Sequence, residues 1–170
     1  MNTQLKPLTA EAFKPYGDVI EVSADNQVIP INYGLTDRHH NLANVDVSDN
    51  DGKAIISIFR SQPIALPFEV RIMERHPLGS QAFMPLGDKA YVVVVAPAGE
   101  FHPDAIEAFL ARPDQGVNYH KGTWHHYCLV LESESSFLVI DRGGEGNNCD
   151  EVTLENSTSI YIENQETGAD

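Results

Sequence analysis

Short apolar runs, each closed within a few residues by Pro, Gly, Asn or Asp, constrain this chain more than any other feature. Residues 18–22, 41–47, 54–60, 68–76, 80–84, 91–95, 137–141 and 159–162 read as strands. The turns between them carry Asn50-Asp-Gly52, Pro63, Pro77-Leu-Gly79 and Pro85-Leu-Gly-Asp88. About ten short strands at such spacing predict an all-β antiparallel barrel or jelly roll with one or two short helices. Residues 1–18 read as a short helical start, in which Thr9 is placed to cap residues 10–14 before Pro15 and Gly17 end the helix. A second helix is expected over 104–111, where Ile106, Phe109 and Leu110 fall at i, i+3 and i+4 before Pro113. Residues 32–40 read as an irregular polar loop bearing Arg38, His39 and His40, either a solvated loop or a flap over a site. Residues 164–170 read as a frayed end.

Length and charge limit the function. One domain spanning 1–170 is expected from 170 residues. A net charge of −14 opposes nucleic acid or an anionic membrane as partner. A small anion remains possible as substrate, but it needs a local Arg or Lys, and the chain has 11 of them. The apolar run 90–98 is too short to span a bilayer, and the first residues carry no secretory pattern. Cys128 and Cys149 form no CxxC pair, which suits a reducing, cytoplasmic setting.

Chemistry concentrates in Gly116-Val-Asn-Tyr-His-Lys-Gly-Thr-Trp-His-His-Tyr127, which runs into Cys128-Leu-Val-Leu131. Side chains alternate along a strand, so His125, Tyr127 and Leu129 are expected on one face, and His126, Cys128 and Val130 on the other. His120 precedes a Gly-containing turn and is expected to fold back beside His125. Along 68–76, Val70, Ile72, Glu74 and His76 are expected to share a face.

The segment ending at His125 resembles the second cupin motif, with Gly122 and His125 at the motif's later Gly and metal-ligand His. His120 stands where the motif keeps Pro, and Asp114 where it keeps Gly. Pro77-x-Gly79 resembles the first motif, but Gln81, Phe83 and Asp88 or Lys89 stand where cupins carry His, His and Glu. A Phe cannot bind a cation and an ammonium repels one, so the usual ligand set is missing. A fuller resemblance is to the ureidoglycolate lyase family. It is carried by Tyr16-Gly-Asp-Val-Ile-Glu21, Glu74-Arg-His-Pro-Leu-Gly79, Gln81-Ala-Phe83, Val92-Val-Val-Val-Ala96, Gln115-Gly-Val-Asn-Tyr-His120, Trp124-His-His126 and Ile140-Asp-Arg-Gly-Gly144. Lys89, Arg71 and Tyr127 fall outside these strings.

That resemblance implies elimination of urea from (S)-ureidoglycolate, leaving glyoxylate. It also implies a homodimer and an associated divalent metal, nickel in particular. The elimination needs a base for the hydroxyl proton and an acid for the departing nitrogen. His125 and His120 are expected to serve, with Glu74 and His76 next. Asn118, Gln81 or backbone groups are the expected partners of the urea end, Arg60 and Arg38 those of the carboxylate, and Tyr119 is a further expected substrate contact. Asp141-Arg142-Gly-Gly144 is expected to lock a turn. Any metal would fall to His120 and His125, with His76 or His39 as further ligands, at an open site. Two other readings stay open: a non-catalytic cupin-like module that binds small anions, and a metal-dependent cupin of another reaction type.

Overall fold

A computed structural model describes residues 2–155 and 160–163. The 164–170 segment and Ser159, at the edge of the last expected strand, lie outside the described residues. Sixteen strands and one four-residue helix make up nearly all the regular structure within them, with three short 3-10 turns. The long sheet runs β15 (Asp150–Thr153), β7 (Ile72–Arg75), β12 (Trp124–His125), β9 (Tyr91–Ala96), β10 (Glu107–Ala111), β1 (Asn2–Pro7), β16 (Ile160–Glu163) and β6 (Phe68–Val70). β13 (Leu129–Val130) also pairs with β9. The second sheet runs β2 (Gly17–Ile20), β11 (Gly116–Tyr119), β8 (Gln81–Pro85), β14 (Ser135–Gly143) and β5 (Lys53–Ser61). All pairs are antiparallel except those of β1 with β10 and β16. The two sheets pack face to face as a cupin-like β-sandwich rather than closing into a continuous barrel.

The core follows from β9. Tyr91, Val93 and Val95 enter the layer between the sheets, among Phe13, Phe83, Phe109, Val117, Tyr119, Phe137 and Val139. Val92, Val94 and Ala96 face the opposite side, with Leu5, Val70, Met73, Trp124 and Leu129. A strand buried on both faces needs an unbroken apolar run, and Tyr91-Val-Val-Val-Val-Ala96 is one. At Gly17, β2 presses so closely on β11 that an added Cβ would lie 2.0 Å from the Asn118 carbonyl oxygen.

Several sequence expectations change. Residues 2–7 form β1, although the Thr9-capped helix α1 (Ala10–Phe13) follows as expected. The expected helix over 104–111 is a 3-10 turn followed by β10. β10 lies between β9 and β1 with Ala108, Phe109 and Ala111 buried, so burial on both faces imitated a helical stripe. The expected flap is a hairpin, β3 (Gln27–Ile31) with β4 (Thr36–His40). Residues 41–47 alternate but form no strand; Asp46 instead exchanges backbone and side-chain hydrogen bonds with Ser80. The run 68–76 breaks at Arg71 into β6 and β7, so Val70 joins Met73 on the outer face and parts from Glu74.

Arg142 fixes the loops over the second sheet. Its Nε donates to the Asp49 carbonyl at 2.9 Å, and its Nη2 donates to the carbonyls of Asn50 and Glu145 at 3.2 and 2.9 Å. Gly52 makes room, since a Cβ there would meet the guanidinium Nε at 2.3 Å. Arg142→Met removes three donors from carbonyls near this buried side chain. It should lower unfolding stability by about 2–3 kcal/mol. An unchanged denaturation midpoint would show that the loops hold without it.

Candidate active site

Sheet register builds the site. His125 on β12 lies directly opposite Glu74 on β7. His76 follows Glu74 by two residues and turns to the same side. Glu74 Oε1 stands 3.4 Å from His125 Nε2 and 3.8 Å from His76 Nε2. The two imidazole rings are 5.0 Å apart. Trp124 and Arg75 take the outer face: Arg75 stacks 4.6 Å over the indole and pairs with Asp150 at 2.9 Å.

Both imidazoles are committed through Nδ1. His125 Nδ1 donates to the Thr123 carbonyl at 3.1 Å, and His76 Nδ1 to the Asn148 carbonyl at 2.7 Å. A carbonyl only accepts, so the hydrogen of each neutral ring sits on Nδ1 and Nε2 carries a lone pair. Among the described residues neither Nε2 has a hydrogen-bond partner, and both are buried. Three acceptors therefore converge: two imidazole nitrogens and a carboxylate oxygen. The arrangement is stable only with a proton on an imidazole or a cation among the three. The His125 imidazole, as a hydrogen-bond donor once protonated, holds the Glu74 carboxyl below the usual carboxylate range against the opposing effect of burial.

Tyr119 lies flat on His125, ring centroids 4.3 Å apart at 10°. Burial keeps its phenol protonated far above the ordinary range. Gln81 pairs with Tyr119 across β8 and β11 and donates to Asp141 Oδ2 at 3.2 Å. Asp141 Oδ1 is buried with no partner among the described residues. Cys149 reaches Glu74 Oε2 at 3.9 Å. The sequence reads Asp141 with Arg142 as a turn lock and Cys149 as a lone thiol, and places neither beside Gln81 or Glu74. Strand parity with Phe137 and Val139 points to Asp141; nothing in the sequence points to Cys149.

The other expected residues lie elsewhere. His120 does not fold back to His125; its Nε2 meets Asp18 at 3.0 Å on the other side of β11 from Tyr119. Asn118 Nδ2 donates to the same Asp18, at 3.0 Å, and to the Asn44 carbonyl. His120 and Asp18 line a cavity of about 420 Å³ with Asn44, Asp46, Ser80 and Lys121. Arg60, opposite Ser136 at the far end of β5, is exposed and pairs with Glu134. Arg38 is exposed on the β3–β4 hairpin. Tyr127 is also exposed, contrary to its expected place beside His125. The cause is a β-bulge. His125 pairs with Val95 and Leu129 with Val92, so four steps on one strand match three on the other. His126 is buried away from Glu74, its ring edge-on to Phe68 at 5.4 Å, and burial lowers its pKa.

The two thiols provide a check on this geometry. Burial pushes Cys128 up to about 12, whereas Cys149 is exposed, raised chiefly by partial burial and then by its acidic neighbours. A disulfide reagent should therefore modify one thiol in the folded protein and a second only on unfolding. Two thiols reacting together in the folded protein would contradict this packing.

The ureidoglycolate lyase family model matches residues 1–161. A ureidoglycolate lyase of Burkholderia mallei (strain NCTC 10229) is 54% identical over 153 residues, covering 90% of this chain and 89% of its own. One from Burkholderia cepacia is 50% identical over 168 residues, covering 98% and 94%. One from Pseudomonas syringae pv. syringae (strain B728a) is 51% identical over 160 residues, covering 94% of each.

Proposed function

From the premise that the chain belongs to the ureidoglycolate lyase family, we propose that it eliminates urea from (S)-ureidoglycolate to give glyoxylate, with Glu74, His76 and His125 as the reacting centre. The names of the relatives favour this over a non-catalytic anion-binding module or a cupin of another reaction type. The observation that carries the site assignment is the convergence of three acceptor atoms, from Glu74 on β7, His76 just past its end and His125 on β12.

The chemistry needs two proton transfers. The substrate hydroxyl loses its proton as the carbonyl of glyoxylate forms. The carbon–nitrogen bond then breaks, and the departing urea nitrogen gains a proton. An imidazole Nε2 or the Glu74 carboxylate accepts the first proton, and a neighbouring protonated imidazole donates the second. The Nδ1 contacts to carbonyls keep each ring aimed through both steps. Gln81 serves the urea end, and Tyr119 holds His125 in plane. His120 and Asn118, gathered round Asp18, stand outside this chemistry. The substrate carboxylate is drawn to the positive charge that the three acceptors require, in place of Arg60 or Arg38.

The divalent metal implied by the family fits the same atoms. Donors bound about 2.1 Å from one ion stand roughly 3–3.5 Å apart, and the contacts of Glu74 Oε1 with the two imidazoles are close to that. Glu74, His76 and His125 would hold it, in place of His120 with His125. When bound, it supplies Lewis-acid charge beside the substrate oxygens.

The proposal includes a homodimer in the cytoplasm. Ile55, Ile56, Ile58 and Phe59 are exposed on β5, the unpaired edge of the second sheet, and Val28, Tyr33 and Leu35 on the hairpin segment. A second copy would cover such a surface. No helix among the described residues is long and apolar enough to cross a membrane.

Purified protein mixed with racemic ureidoglycolate should release urea and glyoxylate well above the spontaneous rate. His125→Ala should lower kcat/KM by about 10²–10⁴-fold. No release above background would refute the lyase reading, and a normal His125→Ala enzyme would refute the assigned centre. Sedimentation should give a dimer that Ile56→Glu splits; a monomeric wild type would remove that part.

A further inference from the structure

The loop from Arg142 to Cys149 has no role in the family strings beyond its first residues, yet it touches the reacting centre twice. Its backbone is permissive: Gly144 and Gly146 take φ of 148° and 97°. Permissive backbone must be held from outside if a distance depends on it. Asn148 supplies that hold at two points. Its carbonyl accepts from His76 Nδ1 at 2.7 Å, and its side-chain Oδ1 accepts from the Leu78 backbone N–H, also at 2.7 Å. One residue thus clasps His76 and the residue two places after it. The next residue, Cys149, brings its thiol to Glu74 Oε2.

We infer that Asn148 is the positioning residue of this centre: by clasping residues 76 and 78 it fixes the hydrogen of His76 on Nδ1, so that Nε2 faces Glu74 Oε1 as a proton acceptor and cation ligand. The inference rests on the reading of Glu74, His76 and His125 as the reacting centre. His125 needs no such clasp. Its Nδ1 partner, the Thr123 carbonyl, is two residues away on its own strand entry, and Tyr119 lies flat against its ring. His76 lies just past the end of β7, and among the described residues the ladder with β15 ends at Arg75. Its own carbonyl accepts from Gly122 N–H at 3.0 Å, which fixes the backbone but leaves the ring free to turn. Among the described residues, only the Asn148 carbonyl is hydrogen-bonded to the ring. Removing the side chain of Asn148 releases Leu78 and lets a glycine-rich loop carry that carbonyl away. The ring can then place its hydrogen on Nε2, which faces Glu74 with a donor and closes the site to a cation.

Two measurements independent of turnover test this. Long-range nitrogen NMR of the histidine rings reads the His76 tautomer, and titration calorimetry with Ni²⁺ or Co²⁺ reads the ion affinity. The wild type should show His76 with hydrogen on Nδ1 and should bind the ion. Asn148→Ala should shift His76 towards the Nε2–H form and weaken ion binding about 10–100-fold. Asn148→Asp keeps the Oδ1 acceptor for Leu78 and should restore both. A wild-type His76 protonated on Nε2, a wild type that takes up neither ion, or an Asn148→Ala protein with unchanged tautomer and affinity would each overturn the inference. So would a failure of Asn148→Asp to restore what Asn148→Ala loses. Urea release by a protein that binds neither ion would leave the lyase reading standing while the inference falls. Ion binding with the predicted tautomers but no urea release would do the reverse.

Discussion

A backbone carbonyl beside one nitrogen of an imidazole decides what the other nitrogen can do. Here two carbonyls, of Thr123 and Asn148, occupy Nδ1 of His125 and His76, and both free lone pairs then face one carboxylate oxygen of Glu74. Three acceptors at this distance repel unless a positive charge joins them. The fold exists around that demand. β12 is only two residues long, yet it is held between β7 and β9, so that His125 meets Glu74 across the ladder. The bulge after it ends the alignment, so that Tyr127 leaves for solvent and His126 packs on Phe68.

On the proposed reading, the same demand lets a chain with net charge −14 attract an anion. Its cations near the site are committed elsewhere. Arg75 lies over Trp124 and pairs with Asp150; Arg142 serves carbonyls; Lys121 is held between Asp46 and Asp49. Among the described residues Glu74 has no Arg or Lys within 4.0 Å, only imidazoles. On the proposed reading, the charge that meets a substrate carboxylate is one the centre gains, as a proton or an ion. It is not one that a side chain carries permanently, and this ties anion binding to the state of the reacting groups.

Much of this was legible in the sequence, and the reasons are physical. β9 was visible because burial on both faces leaves an unbroken apolar run. The pairing of Glu74 with His76 followed from strand period, and the inward turn of His125 from its place in the cupin-like motif. The class and family followed from punctuation and from strings spread along the chain. The failures have physical causes too. β10 has no polar face, so its pattern carries no period of two, and three apolar residues at helical spacing misled. Residues 41–47 alternate, but their partners are Ser80 in a loop and the Asn118 side chain on β11, which no local pattern reveals. His120 was grouped with His125 by nearness in sequence, whereas β11 puts Tyr119 between them and turns His120 to Asp18. Asn148 and Cys149 reach the site through a loop whose path only the fold fixes.

The central claim is that Glu74 and His125 act as one unit around a shared positive charge. A double-mutant cycle on urea release measures this directly, with Glu74→Gln, His125→Asn and the double variant compared by kcat/KM. A unit loses nearly everything with its first member, so the double variant should be scarcely slower than the worse single variant. Losses that multiply independently, or a Glu74→Gln enzyme at the wild-type rate, would contradict the account.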